Sequence, residues 1–399
     1  MFAKRTRWEM ETNRLTQALY ARRAAGVPVI DLTESNPTRC GFTYDSAGIL
    51  PALANEAALT YHPDPRGLAV ARESVAKYYG VRGIQISLDD IFLTVSTSEA
   101  YTYILRLLCD PGDAILIPCP GYPLFDYLAG IQDVEVARYP LFYDHGWQID
   151  FHSLEAAITE RTRAVVVVHP NNPTGHFCRA AEMRQLQEIC AARGLALIAD
   201  EVFFDFTFLS QTEVRSSAAE SAWKTFADES PALTMTLSGL SKSCGLPQMK
   251  VAWLCVGGPE ELRGEAGRRL EVIADTYLSL GALAQLALPA LLAGRGAFQE
   301  QVMARVRNNL AEMDRQLAGA KSCSRLKVEG GWNVVLRVPA TRPDEDLALA
   351  LVEKKAVYVH PGHFYDFPGD GYLVLSLIVP EEDFRTGVGR LLELVEGRI

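Results

Sequence analysis

The chain lacks the marks of several common protein classes. It has no C-x-x-C pair, and its eight cysteines stand singly at 40, 109, 119, 178, 190, 244, 255 and 323. That spacing argues against a zinc site or a disulfide framework, and predicts reduced thiols, no bound metal and a cytoplasmic setting. It has no excess of positive charge: 39 Lys and Arg against 49 Asp and Glu leave a net charge of −10. Neither nucleic acid nor an anionic membrane is therefore expected as a partner. The most apolar stretch, 277–294, is interrupted by Gln285 and Pro289 and is barely as long as a membrane span of ~20 residues, so it reads as a buried or subunit-contact helix. The opening MFAKRTRWEMETNR is basic without an apolar core, so no secretory signal is expected. Internal repeats, low-complexity tracts and charged linkers are missing as well.

What is there is an ordinary globular composition, 48% hydrophobic and 22% charged over 399 residues, enough for two domains and a sizeable core. Short apolar runs alternate with helical patterns through the middle of the chain. IFLTV (91–95), AILIP (114–118), AVVVV (164–168), LALIA (195–199), LTMTL (233–237) and VAWLCV (251–256) read as strands. Several lack polar alternation, as expected for strands buried on both faces. Helices are predicted at 98–108 and 180–193, the latter stopped by Gly194. The pattern predicts an α/β fold, with a mostly parallel central sheet and helices on both faces. After 258 the chain reads as helical for about fifty residues, then as short strands at 332–338, 356–360 and 372–377 and a final helix from 381. We expect a large domain over 45–290 and a smaller α+β domain made from 1–44 and 291–399.

Polar motifs follow five of the apolar runs: Thr94 to Ser98, Pro120-Gly121-Tyr122, Asn171-Asn172-Pro173, Asp200, and Ser238 to Lys242. In open α/β sheets ligands bind beyond the carboxyl ends of the strands, so all five are expected to converge on one rim. Ser96, Thr97 and Ser98 lie between a strand and a helix, where hydroxyls and backbone amides suit a phosphate as well as a plain N-cap.

SGLSKSCGLPQMK (238–250), IADEVF (198–203) and VHPNNPTG (168–175) together resemble fold-type I enzymes of the class I and II aminotransferase family, which depend on pyridoxal 5'-phosphate (PLP). The resemblance runs over nearly the whole length. It implies that Lys242 is the Schiff-base lysine, which holds the cofactor and shuttles the substrate's α-proton. Asp200 would keep the pyridine nitrogen protonated, Asn172 would donate to the ring's phenolic oxygen, and Tyr122 would stack on the ring. Ser96, Thr97 and Ser98 would hold the phosphate, with Ser238 and Lys250. Tyr61, in YHPDPRGL, would reach a neighbouring subunit's phosphate in a homodimer with shared active sites, and Asn36 would line the substrate side. The implied activity is exchange of an amino group between an amino acid and a 2-oxo acid.

Four departures from the family's pattern stand out. Lys250 replaces the usual phosphate-binding arginine, and Phe203 replaces a tyrosine. Gly239 replaces a serine that Ser238 is a candidate to substitute. Val374, in GYLVLSL, occupies the slot of the arginine that clamps a substrate carboxylate. No arginine lies between Gly362 and Phe384, which leaves Arg39, Arg66 and Arg337 as unranked candidates for that role. His169, His360 and His363 read either as ordinary loop histidines or as groups that position substrate or shuttle a proton near the cofactor, and Cys244 reads as a packing residue. Val374 and Phe203 keep open a second reading, a PLP-dependent lyase, replacement or cyclisation enzyme. A non-catalytic binding protein is the third reading, disfavoured by the intact Lys242, Asp200 and Asn172.

Overall fold

The computed structural model describes residues 1–208 and 224–397. After a short strand, β1 (Ile30–Asp31), come β2 (Ile91–Thr94), β3 (Ala114–Cys119), β4 (Glu135–Tyr143), β5 (Trp147–Ile149), β6 (Thr162–Val168), β7 (Ala196–Asp200), β8 (Thr234–Gly239) and β9 (Ala252–Gly257). These last eight form the central sheet, in the order β2-β9-β8-β7-β6-β3-β4-β5. The sheet is mixed. β4, β3, β6, β7 and β8 run parallel, while β9 is antiparallel to both β8 and β2, and β5 to β4. Because β9 alone separates β2 from β8, β2 points the same way as the parallel set. The carboxyl ends of β2, β3, β6, β7 and β8 therefore share one rim.

The predicted strands fall where continuous apolar runs stand, because their residues are buried on both faces. Alternate residues feed two cores. Ala164, Val166 and Val168 pack with Ile104 and Leu270 from helices on one face. Val165 and Val167 pack with Met183, Leu186 and Cys190 from the helix Ala180–Arg193 on the other. That helix stops at Gly194, whose left-handed φ of 64° is the conformation glycine adopts without cost. β4 and β5 were not expected from the sequence. They lie at the sheet's edge, and β4 is largely solvent-facing, with Glu135 and Arg138 interrupting its first half and Pro140 its second.

Beyond β9 the chain forms three helices, Glu260–Asp275, Ala282–Ala293 and Arg295–Leu317. The apolar run supplies the second, which buries Ala287, Leu288, Leu291 and Leu292 against Val75, Tyr78 and Tyr79. Among the described residues no helix is long and apolar enough to cross a membrane. β10 (Ser324–Arg325), β11 (Asn333–Arg337), β13 (His360–Pro361) and β14 (Tyr372–Ser376) make an antiparallel sheet in the order β10-β11-β14-β13. β12 (Val357–Tyr358) pairs with β1, which fastens the N-terminal segment to this C-terminal unit. Its core, with Leu15, Leu32, Val334, Leu351 and Leu391, also takes in Trp332 and, from just past β7, Phe203 and Phe206. The two sheets thus meet around Phe203 and Trp332, immediately beyond the rim.

Candidate active site

A cavity of ≈ 460 Å³ opens between the rim and the antiparallel sheet, a size that suits a small organic ligand. Lys242, Asp200, Asn172, Tyr122 and the serine-threonine run Ser96-Thr97-Ser98 all line it. They come from the ends of five strands far apart in sequence.

Lys242 sits in the short helix Leu240–Ser243 that follows β8. Its Nζ lies 4.9 Å from the centre of the Trp332 ring and 5.4 Å from that of Phe203. Burial among these rings lowers its pKa from 10.5 to about 8, against the opposing pull of Asp200 and Cys40. Asp200 closes β7. Its carboxylate accepts the Val202 N–H at 3.1 Å and the Tyr101 O–H at 3.2 Å. Burial outweighs both bonds and raises its pKa to about 6. The site thus holds an amine of which about a tenth is neutral at pH 7, far more than for an ordinary lysine, and a buried carboxylate that is still mostly ionised there.

Asn172 follows β6 in a turn that its neighbours fix. The Asn171 amide donates to the Pro120 carbonyl at 3.1 Å and to the Thr174 hydroxyl at 2.9 Å. Gly175 turns the chain at φ 70°, where a Cβ would sit 2.3 Å from Val328 Cγ2. Asn172 Oδ1 accepts from Asn333 Nδ2 at 2.6 Å. That bond orients the Asn172 amide and leaves its own N–H groups available as donors.

At the β2 end Ser96 caps the helix Thr97–Leu108, its hydroxyl accepting the Glu99 N–H at 3.2 Å. Glu99 reaches back to accept the Val95 N–H at 2.9 Å, one residue before the cap. The first-turn amides of Thr97 and Ser98 have no carbonyl of their own helix to meet and can face an anion. Gly239 and Ser241 line the cavity, and Ser238 does not. The Ser238 hydroxyl lies 3.5 Å from the Glu201 carbonyl. Glycine at 239 has a packing reason, since a Cβ there would lie 2.9 Å from Ala252 Cβ and 3.0 Å from Ala252 Cα.

The remaining expected residues lie outside this cavity. Lys250 is exposed in a left-handed conformation, φ 54°. Tyr61 is also exposed and borders a separate hollow with Pro63, Leu278 and Ser279. Asn36 caps a turn by accepting from the Thr38 N–H at 3.1 Å, while Thr33 and Ser35 line the cavity instead. Arg66 is paired with Glu271 at 2.8 Å. Arg337 stacks 5.9 Å from the Tyr372 ring centre, and Arg39 ends an exposed turn. None of these arginines lines the cavity.

Sequence reasoning missed Tyr101, Trp332, Asn333 and Tyr365, and left His360 between a substrate-positioning and a plain loop role. His360 Nδ1 and the Tyr365 hydroxyl are 3.0 Å apart, and both residues line the cavity beside Val374. His169 is structural, as expected for a loop histidine. Its Nδ1 accepts the Cys178 N–H at 3.1 Å, its Nε2–H meets the Lys224 carbonyl at 3.1 Å, and burial pushes its pKa down to about 3.

The donor set fits PLP. A buried amine suits its aldehyde and a buried carboxylate its ring nitrogen, while an oriented amide suits the ring oxygen and a capped helix N-terminus the phosphate. Comparison with known proteins agrees. The family profile described as aminotransferase class I and II matches residues 28–391. The glutamate-pyruvate aminotransferase AlaA of Escherichia coli K12 is 24% identical over 382 residues, covering 93% of this chain and 91% of its own. An alanine aminotransferase of Mycobacterium tuberculosis H37Rv is 28% identical over 382 residues, covering 92% and 86%. Among solved structures, an alanine aminotransferase from Pyrococcus furiosus superposes with a TM-score of 0.89 at 22% identity over 100% of both chains. An aspartate aminotransferase from Thermotoga maritima gives 0.83 at 21% identity, covering 98% and 99%. The chain belongs to the aminotransferase class I and II family, whose members are PLP-dependent transferases.

Proposed function

We propose that this cavity binds PLP and carries the aminotransferase reaction, with Lys242 as the residue that bonds the cofactor. When bound, PLP supplies an aldehyde that captures an amine and a ring that accepts the electron pair left as the α-proton departs. The observation that carries the reading is the juxtaposition of Lys242 and Asp200 in one cavity, each with a pKa shifted by burial.

The chain's own groups supply the rest. Lys242 Nζ, with its pKa near 8, is neutral often enough at physiological pH to attack a carbonyl and then to take and return the substrate's proton. Asp200, held by Val202 and Tyr101, is the counter-charge for a protonated ring nitrogen. Tyr101 positions it and does not itself reach the reacting atoms. Asn172, oriented by Asn333, donates to the ring oxygen. Trp332 and Phe203 keep water from Lys242 Nζ. The amides of Thr97 and Ser98 hold the phosphate. Tyr61, exposed on the surface, is free to serve a second copy of the chain, in keeping with a homodimer. The amino acid and 2-oxo acid pairs named by the alanine and glutamate-pyruvate aminotransferases are the first substrates to try.

The test is borohydride reduction of the purified holoenzyme followed by peptide mass spectrometry, with transfer of labelled nitrogen from a panel of donors to 2-oxo acids measured in parallel. A reduced cofactor adduct on Lys242 together with nitrogen transfer is the expected result. Release of free ammonia or a side-chain fragment in place of transfer would move the chain to the lyase, replacement or cyclisation reading that Val374 keeps open.

A further inference from the structure

The wall that the antiparallel sheet gives to the cavity carries no charge. Val374 on β14 stands opposite His360 on β13 and opposite Val335 on β11. Val374, His360, Tyr365, Trp332 and Asn333 all face the cavity. The His360 imidazole is packed against the Tyr358, Phe364 and Tyr365 rings at 5.8, 5.6 and 5.9 Å between centres. Burial holds it neutral, with a pKa pushed down to about 4 although Asp31 pulls the other way. Burial also raises the Tyr365 pKa, so its hydroxyl keeps its proton. In the tautomer in which the Tyr365 O–H donates to Nδ1, His360 carries its proton on Nε2, which makes no hydrogen bond among the described residues.

Charge balance points the same way. Among the described residues that line the cavity, Lys242 is the only lysine or arginine and Asp200 the only carboxylate. Once Lys242 is committed to the cofactor, the described lining of this chain offers a substrate carboxylate no cation. Burying an unpaired carboxylate is heavily penalised, whereas an uncharged polar group that finds a hydrogen bond costs little.

We propose that the Val374–His360–Tyr365 wall selects an amino substrate with an uncharged hydrogen-bonding group, a carboxamide or a hydroxyl, in place of the carboxylate of a free amino acid. Nε2–H of His360 donates to that group, and Val374 packs against its carbon. The inference rests on the reading of Lys242 given above and narrows the substrate of the same cavity.

Two unreactive probes of the same shape test it, isobutyramide and isobutyrate, with binding to the holoenzyme measured by calorimetry. We expect isobutyramide to bind about tenfold more tightly, and labelled nitrogen to pass faster from alaninamide than from alanine. His360→Phe should remove the preference for the amide and leave isobutyrate binding unchanged. Val374→Arg should invert the preference. Because an arginine at that buried position can disturb folding, the His360→Phe result and the wild-type comparison stand without it. Equal or tighter binding of isobutyrate by the wild-type enzyme, or no binding of isobutyramide, overturns the proposal. Failure of the underlying reading shows separately, as the absence of a cofactor adduct on Lys242 in the borohydride experiment.

Discussion

The two walls of the cavity are built on different terms. On the wall from the large sheet, the charged and amide groups sit at strand ends locked by neighbouring parallel strands, and each is held by a second residue. Tyr101 and the Val202 N–H hold Asp200, Asn333 orients Asn172, and the aromatic pair Trp332 and Phe203 encloses Lys242. On the wall from the small sheet the residues are neutral, and His360 and Tyr365 ride on β13, which has only two residues, and on the turn that follows it. Groups that must hold one geometry against a cofactor belong on the rigid ladder, and groups that read a substrate can sit on elements with fewer ladder bonds. On the reading proposed here, the first wall bears on whether the reaction occurs, and the second on which molecule undergoes it.

The largest test of that division is Lys242→Ala. It should lower nitrogen transfer by about four orders of magnitude or more, since both the covalent bond and the proton carrier are lost. Borohydride should then leave no cofactor on the protein. An adduct on another lysine would place the reacting amine elsewhere and erase the contrast between the walls.

Asp200→Asn should cost less, about a hundredfold to a thousandfold in transfer rate, because the ring is still bound but loses its counter-charge. It should also stabilise the apoprotein. With a folded pKa of about 6 against 3.8 unfolded, the folded chain holds a proton between those values that the unfolded chain has released. Stability therefore falls as pH rises through that window, and at pH 7 the ionised carboxylate is a burden of about 3 kcal/mol, with the pull of Lys242 already included. Melting of the cofactor-free variant and wild type should differ at pH 7, the variant higher, with the gap closing toward pH 4. A variant that melts lower at pH 7 would mean that Asp200 is a structural anchor.

Most of the first wall was legible in the sequence, and little of the second. Lys242, Asp200, Asn172 and Ser96 each stand at or just past the end of an apolar run buried on both faces, so a strand-by-strand reading brings them to one rim. The supporting residues carry no such sign. Tyr101 is one turn into a helix whose buried face is also lined by Tyr103, Ile104 and Leu105. Asn333 meets Asn172 across 161 positions, and His360 faces Val374 only through the antiparallel register of β13 and β14. Long-range pairings of that kind leave no local period. Ser238 is not a cavity residue: it is buried, with its hydroxyl toward the Glu201 carbonyl, a placement equally without a local sign.

Asn333→Ala is the smallest and most discriminating change, because Asn333 comes from the small-sheet side yet serves the other wall. Its bond to Asn172 at 2.6 Å is a neutral pair worth about 1 kcal/mol, so losing it should slow nitrogen transfer by about fivefold. Asn172→Ala removes the donor itself and should cost more. If Asn333 acts only by orienting that amide, the double variant Asn172→Ala/Asn333→Ala should be no slower than Asn172→Ala alone, a non-additivity that a merely structural residue would not produce. Fully additive losses would mean that Asn333 meets the substrate directly. It would then belong with His360 and Tyr365, and the boundary between the walls would run between Asn172 and Asn333 instead of behind them.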